Sequence, residues 1–209
     1  LFLPLNVGIA RHFMPEGALC ATVALAIAAA VRQREAPSRK SALLLGLAVG
    51  AGLLTKQTFP LYVLFPFLLI LRPHRSLAWS LPGIAMALPW IWTNLIKQQA
   101  YLESSVTHAG DASLLEHIRY YPIALGTLGW GPVWTVLILG AAWVGWNSRH
   151  RSAVLLGAVW LLGGLLLLTL VPKKYPRLLV PLLPSAGLIL AAGIAARSRL
   201  SPLLLMGFG

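Results

Sequence analysis

The feature that most limits this chain is the length of its apolar blocks. Long, predominantly hydrophobic stretches fall at roughly 14–31, 41–55, 58–71, 77–96, 122–146, 152–171 and 178–196. A helix that crosses a bilayer needs about 20 such residues. Over the 209 residues, 58% are hydrophobic and only 11% are charged. Soluble domains carry about a quarter charged residues. A water-soluble fold of this size has no interior large enough for so much apolar surface. The sequence therefore predicts an all-α fold, a polytopic transmembrane bundle of about seven spans with partial spans at both ends.

The blocks 41–55 and 58–71 are short, so one longer helix is the competing reading. Joined, they would run about 46 Å at 1.5 Å per residue, against a hydrocarbon core of about 30 Å. Lys56-Gln57 followed by Thr58 and Pro60 reads instead as a turn at the membrane surface. The charges agree with two spans. With the split, ten of the 17 basic residues, Arg32 to Arg199, fall in short loops on one side with Glu35 as the one acid. The other side holds seven basic residues and four acids: Glu16, Glu103, Asp111 and Glu116. The first side reads as cytoplasmic by the positive-inside rule. The net charge of +12 is thus a topology signal. Its residues are scattered among spans and form no solvated basic face, so nucleic acid is not an expected partner.

The single cysteine, Cys20, excludes an internal disulfide. Trp79, Trp143 and Trp146 fall near cytoplasmic ends and Trp90, Trp92, Trp130 and Trp134 near outer ends, as interfacial belts do. Trp160 sits mid-span and reads as packing. Gly46 and Gly50 form a GxxxG pair, with close helix contact as its ordinary meaning. Prolines at 60, 66, 82, 89, 132, 181 and 184 predict kinked helices around a cavity. The residues read as one membrane-embedded domain, 1–209, a fragment of a longer chain, with an outer loop at 97–121. Within that loop, Ser113 to Tyr121 suits a short helix with Asp111 or Ser113 as its cap and Glu116 in its first turn.

HExxH, P-loop, GxSxG and CxxC motifs are absent. Three polar constellations remain, all at outer span ends. In Arg11-His12-Phe13-Met14-Pro15-Glu16, His12 and Glu16 share a face if Pro15 lies in the first turn, and Arg11 is placed to pair with Glu16. An acid there would bind a metal or orient an acceptor hydroxyl; the plainer reading is an interfacial ion pair capping the helix. Lys56, between two short spans, would bind a phosphate or simply snorkel. In Pro172-Lys173-Lys174-Tyr175-Pro176-Arg177, three cations stand against the positive-inside trend. Arginine's fork and lysine's point charge suit phosphate oxygens; ordinary anionic headgroups are the alternative partner.

Three stretches carry a resemblance: Arg11…Pro15-Glu16 opening a span, the glycine-rich run Gly46 to Gly52 leading to Lys56, and Lys174-Tyr175-Pro176-Arg177…Pro181-Leu182-Leu183-Pro184. Their order resembles the GT-C membrane glycosyltransferases, in particular the bacterial protein O-mannosyltransferase and aminoarabinose-transferase-like group. The resemblance implies transfer of a sugar from a polyprenyl-phosphate donor to a lipid, glycan or protein acceptor on the extracytoplasmic face of the plasma (inner) membrane. It implies that the principal catalytic acid lies upstream of Leu1 and that Glu16 is a supporting acid. It matches Lys56 to a lysine after the glycine-rich span and Arg177 to the arginine of the late motif; with these two, the polar constellations themselves make Arg11, His12, Lys173, Lys174 and Tyr175 the expected substrate-binding residues. A divalent metal is left open. Leu178 stands where the late motif of the family has an aromatic residue.

Two other classes compete: a transporter or flippase of lipid-linked saccharides, and a non-catalytic membrane subunit. Transporters place polar sites near mid-membrane, whereas here the charges sit at span ends. The topology is testable with Cys20 replaced by serine. A cysteine at Ser148 is expected to react with an impermeant maleimide from the cytoplasmic face only, and one at Ser104 from the outer face only. Labelling of both from one face contradicts the assignment.

Overall fold

A computed structural model of the chain describes residues 15–94, 99, 114–129, 131–171 and 174–197. Among them the structure is helical, with no strand. Helix α1 spans Pro15–Glu35, α2 Arg39–Thr55 and α3 Phe59–Ile70. A 3-10 turn, Arg75–Ser80, leads into the short α4, Leu81–Ala85. Then come α5 (Leu114–Ala124), a π-turn (Leu125–Gly129), α6 (Gly131–Trp146), α7 (Arg151–Thr169), a second 3-10 stretch (Pro176–Leu182) and α8 (Leu183–Arg197).

Local chemistry sets these boundaries. α1 is described from Pro15, the first described residue. Ser38 caps α2 in a reciprocal pair with Ser41. The α2 helix stops at Lys56, and α3 starts at Phe59 with Pro60 in its first turn, so the predicted break between the two is present. Helix α5 forms where the sequence predicts one, with Glu116 in its first turn. Its cap and most of loop 97–121 lie outside the described residues.

Two expected spans differ in form. The block 77–96 is a 3-10 turn, a five-residue helix and a further helical stretch at 88–94. The block 122–146 is bent by 99° between Ile118–Leu128 and Gly131–Trp146. The backbone turns there through the π-turn, and Gly131 has a φ of 76°, a conformation side chains resist. Among the described residues, three helical stretches, Pro15–Glu35, Arg151–Thr169 and Pro176–Arg197, are long and apolar enough to cross a bilayer, or four counting the bent pair. At 17 and 12 residues, α2 and α3 fall short of the ~20 of a full crossing.

Inside the bundle, α1 packs on α2, α3 and the 176–182 stretch, α3 on α7, and α8 on both α6 and α7. The buried face of α1 is aliphatic, with Leu19, Val23, Ala26, Ile27, Ala29 and Ala30 between buried Glu16 and Gln33. It meets Tyr62, Leu179, Leu182 and Leu183 in one core that also holds Trp160. Large apolar side chains also face outward, Leu25, Leu68, Val133, Leu162 and Trp92 among them. So much exposed apolar surface is the mark of a lipid-facing protein.

Glycine sets the closest approach. A Cβ at Gly46 would overlap the Ser80 carbonyl, and one at Gly50 the Gly83 carbonyl, so the GxxxG pair is where α2 touches the 75–85 segment. Gly50→Val is therefore expected to lower stability by about 1–3 kcal/mol through overpacking. Gly17→Ala, with nothing within 4 Å of the new methyl, is the neutral control. Thermal unfolding in detergent reads both; equal midpoints contradict the contact.

Candidate functional site: a charge cluster at one end of the bundle

The three cationic or acidic positions singled out at Glu16, Lys56 and Arg177 meet in space. Lys56 Nζ lies 2.6 Å from Glu16 Oε1 and donates to it. Arg177 Nε lies 3.5 Å from the same oxygen, an ion pair without hydrogen-bond geometry. Separations of 40 residues for the first pair and well over a hundred for the second close at this one carboxylate.

Each residue is delivered by a helix boundary. Glu16 sits in the first turn of α1, where free N–H groups favour a carboxylate. Lys56 is the C-cap residue of α2, released from the helix by the break before α3. Arg177 lies at the start of the 176–182 stretch, set there by Pro176. Tyr62 of α3 fixes that stretch by donating from its hydroxyl to the Leu178 carbonyl at 2.9 Å. The Arg177 guanidinium also lies 4.7 Å over the Tyr175 ring, a cation–π contact that limits its swing.

Exposure differs sharply among the three. The Glu16 side chain is 1% exposed, Lys56 23% and Arg177 41%. The buried carboxylate thus pairs with two cations whose side chains are part-exposed. Two positive charges over one negative leave a net +1. A buried carboxylate is tolerated because it is paired. Such a pair of cations presents preorganised donors to an anion, with the acid holding long, flexible side chains in place.

Several polar atoms nearby have no hydrogen-bond partner among the described residues: Glu16 Oε2, Thr58 Oγ1 and the Tyr121 hydroxyl. Tyr62 follows Thr58, the N-cap residue of α3, by one turn. Sequence reasoning used Thr58 only as a turn residue and passed over Tyr62 and Tyr121. The available signal was the i, i+4 pair of hydroxyls on an otherwise apolar helix.

The other candidates divide. Lys174 Nζ donates to the Leu168 and Thr169 carbonyls at 3.1 and 2.8 Å, and it lies 5.2 Å from the Tyr121 ring centroid. Partial burial holds its amine below the usual lysine range. Its charge is spent on the C-terminal carbonyls of α7, not offered to the cluster. Tyr175 packs under Arg177. Arg11, His12 and Lys173 lie outside the described residues, as does the expected Arg11–Glu16 pair. A metal at Glu16 would meet two cations already in place. Among the described residues, no group of three His, Cys, Asp or Glu side chains comes together.

At the opposite end, a second polar contact holds the loops. Gln33 donates from Nε2 to Ser76 Oγ at 2.6 Å and accepts from Ser41 Oγ, and Ser76 Oγ lies 2.7 Å from His74 Nδ1. Arg39 lies 5.0 Å over Trp79 and Arg151 4.4 Å over Trp146 at this same end. The basic loops and the Glu16 cluster therefore occupy opposite ends of the bundle.

The fold and site describe a helical membrane protein with a cationic cluster, anchored on a buried acid, at one end of the bundle. In sequence the chain is similar to the undecaprenyl phosphate-alpha-4-amino-4-deoxy-L-arabinose arabinosyl transferase of Pseudomonas paraeruginosa (strain DSM 24068 / PA7), at 28% identity over 184 residues. The match covers 79% of this chain and 33% of that protein, so the chain spans about a third of the relative's length. No family model and no solved structure matches the chain.

The cluster makes a stability prediction. Lys56→Met leaves the buried Glu16 carboxylate with Arg177 alone, at 3.5 Å. Removing one partner of a fully buried pair costs about 3–5 kcal/mol; Lys56 is partly exposed, so about half that is expected. The double variant Lys56→Met/Glu16→Gln is expected to recover most of the loss. Additive losses in a double-mutant cycle of thermal unfolding contradict the coupling.

Proposed function

We propose that this chain is the membrane-embedded part of a glycosyltransferase. It takes a sugar from a polyprenyl-phosphate donor and passes it to a lipid, glycan or protein acceptor at the extracytoplasmic face of the inner membrane. The observation that carries the reading is the convergence of Lys56 and Arg177 on buried Glu16, at the bundle end opposite the basic loops. The similarity to an enzyme named for an undecaprenyl-phosphate sugar donor supports it.

In this reading an acceptor oxygen attacks the anomeric carbon, the bond from that carbon to the phosphate oxygen breaks, and the lipid phosphate leaves with the electron pair. Lys56 and Arg177 stabilise the charge that grows on the phosphate, an effect that is stronger in the transition state than in the bound substrate. Glu16 is a positioning acid: its carboxylate is taken up by the cations. The base that receives the acceptor proton is the carboxylate expected upstream of Leu1. The several crossings reach about seven when α2, α3 and the broken stretches are counted as short or bent spans. Arg11, His12, Lys173 and Tyr175 are further substrate-binding residues in this reading.

A transporter of lipid-linked saccharides would use a similar cationic rim. The location of the cluster at helix ends, with no charged pair in mid-bundle among the described residues, favours the transferase. Removing one charge-stabilising donor typically costs 10²- to 10³-fold in turnover. Lys56→Met and Arg177→Ala in the full-length protein are each expected to lower sugar transfer by about that factor, and Arg177→Lys by less. Wild-type turnover in both variants would turn the reading towards a scaffold.

A further inference from the structure

The loop end of the bundle, opposite the Glu16 cluster, is built on a buried polar tie. Gln33, in the last turn of α1, is 3% exposed. Its amide donates to Ser76 Oγ at 2.6 Å and accepts from Ser41 Oγ. Both serines are buried as well. Three segments distant in sequence therefore meet at one side chain, and each carries cations next to the tie. Arg32 and Arg34 flank Gln33, Arg39 and Lys40 precede Ser41, and Arg75 precedes Ser76. All five cations are exposed.

This charge is not balanced within the described residues. Glu35 is the one acid in the loops 32–40 and 72–76, and none of the five cations forms an ion pair with an acid among the described residues. Arg39 and Lys40 stand in the first turn of α2 with no acid beside them. That is the end where the helix dipole disfavours positive charge. Like charges fixed on tied segments repel, and an external anion relieves the repulsion.

The surroundings define the anion. Arg39 lies 5.0 Å over the Trp79 ring, and Trp79 is itself exposed. Leu43 and Leu44, one turn along α2 from Arg39 and Lys40, are exposed, as is Leu81. Cations, then a tryptophan, then leucines is the order of a headgroup layer above its acyl chains. A soluble anion would leave the apolar border unused. We propose that the tied loops bind an anionic phospholipid of the surrounding bilayer, with its phosphate at Arg39, Lys40 and Arg75 and its acyl chains along Leu43, Leu44 and Leu81. The site stands apart from the Glu16 cluster and needs neither the donor nor the reaction proposed above.

The test uses the full-length protein in vesicles of equal parts phosphatidylglycerol and phosphatidylcholine, with p-benzoylphenylalanine in place of Leu43 and one lipid radiolabelled at a time. Adducts with phosphatidylglycerol are expected to exceed those with phosphatidylcholine about tenfold. With the same probe in place of Leu162, exposed on α7, the two lipids are expected to label equally. In the Leu43 protein, Arg39→Gln/Lys40→Gln/Arg75→Gln is expected to abolish the preference. Arg149→Gln/Arg151→Gln/Arg197→Gln, which removes as many charges from other segments at this end, is expected to leave it. Excess glycerol phosphate, the headgroup chemistry without chains, is expected to leave it too. Equal labelling by the two lipids at Leu43, the same preference at Leu162, equal losses in the two triple variants, or loss of the preference to glycerol phosphate overturns the proposal. The Leu43 and Leu162 proteins keep every charge, so their comparison decides the matter even where a triple variant fails to fold.

Discussion

The architecture depends on one buried carboxylate. Glu16 is 1% exposed and has Lys56 at 2.6 Å and Arg177 at 3.5 Å. An unpaired charge in this position would be too costly to keep. The three segments that carry these residues are therefore required to arrive together. That requirement places the start of α1, the break between α2 and α3, and the 3-10 entry to α8 at one end of the bundle. Tyr62 adds the second tie by holding the Leu178 carbonyl. Local irregularity in this protein is concentrated where charge has to be presented.

The same economy explains the rest of the packing. Ala26, Ala29 and Ala30 keep part of the buried face of α1 small, beside Leu19, Val23 and Ile27. Gly46 and Gly50 let α2 lie against the 75–85 backbone, so α2 is held from that side. The polar contact of Gln33, Ser41 and Ser76 closes the opposite end. Hydrogen bonding thus locks both ends of α1, with apolar contact between them.

Much of this was legible in the sequence because it follows from local rules. The break at Lys56 came from length against membrane thickness and from the Pro60 signal. Trp160 as packing and the GxxxG contact came from equally local reasoning. Glu16, Lys56 and Arg177 were each visible as charges at span ends. Their meeting was not, because a pairing across 40 residues leaves no periodic trace. The bend at 125–131 was missed because the block 122–146 is apolar throughout, and apolarity does not report direction. The contact of Lys174 with the α7 carbonyls was not legible, because it depends on where that helix ends, which hydropathy marks only loosely.

The central claim is that the Glu16-anchored cations read the phosphate of a lipid. The most direct measurement compares binding of undecaprenyl phosphate and of its uncharged alcohol to the full-length protein. The account predicts that the phosphate binds about a hundredfold tighter, roughly two charge-assisted contacts' worth, and that this discrimination collapses in Lys56→Met/Arg177→Met while affinity for the alcohol is retained. Equal affinity for phosphate and alcohol in the wild type, or discrimination that survives the double substitution, would contradict it.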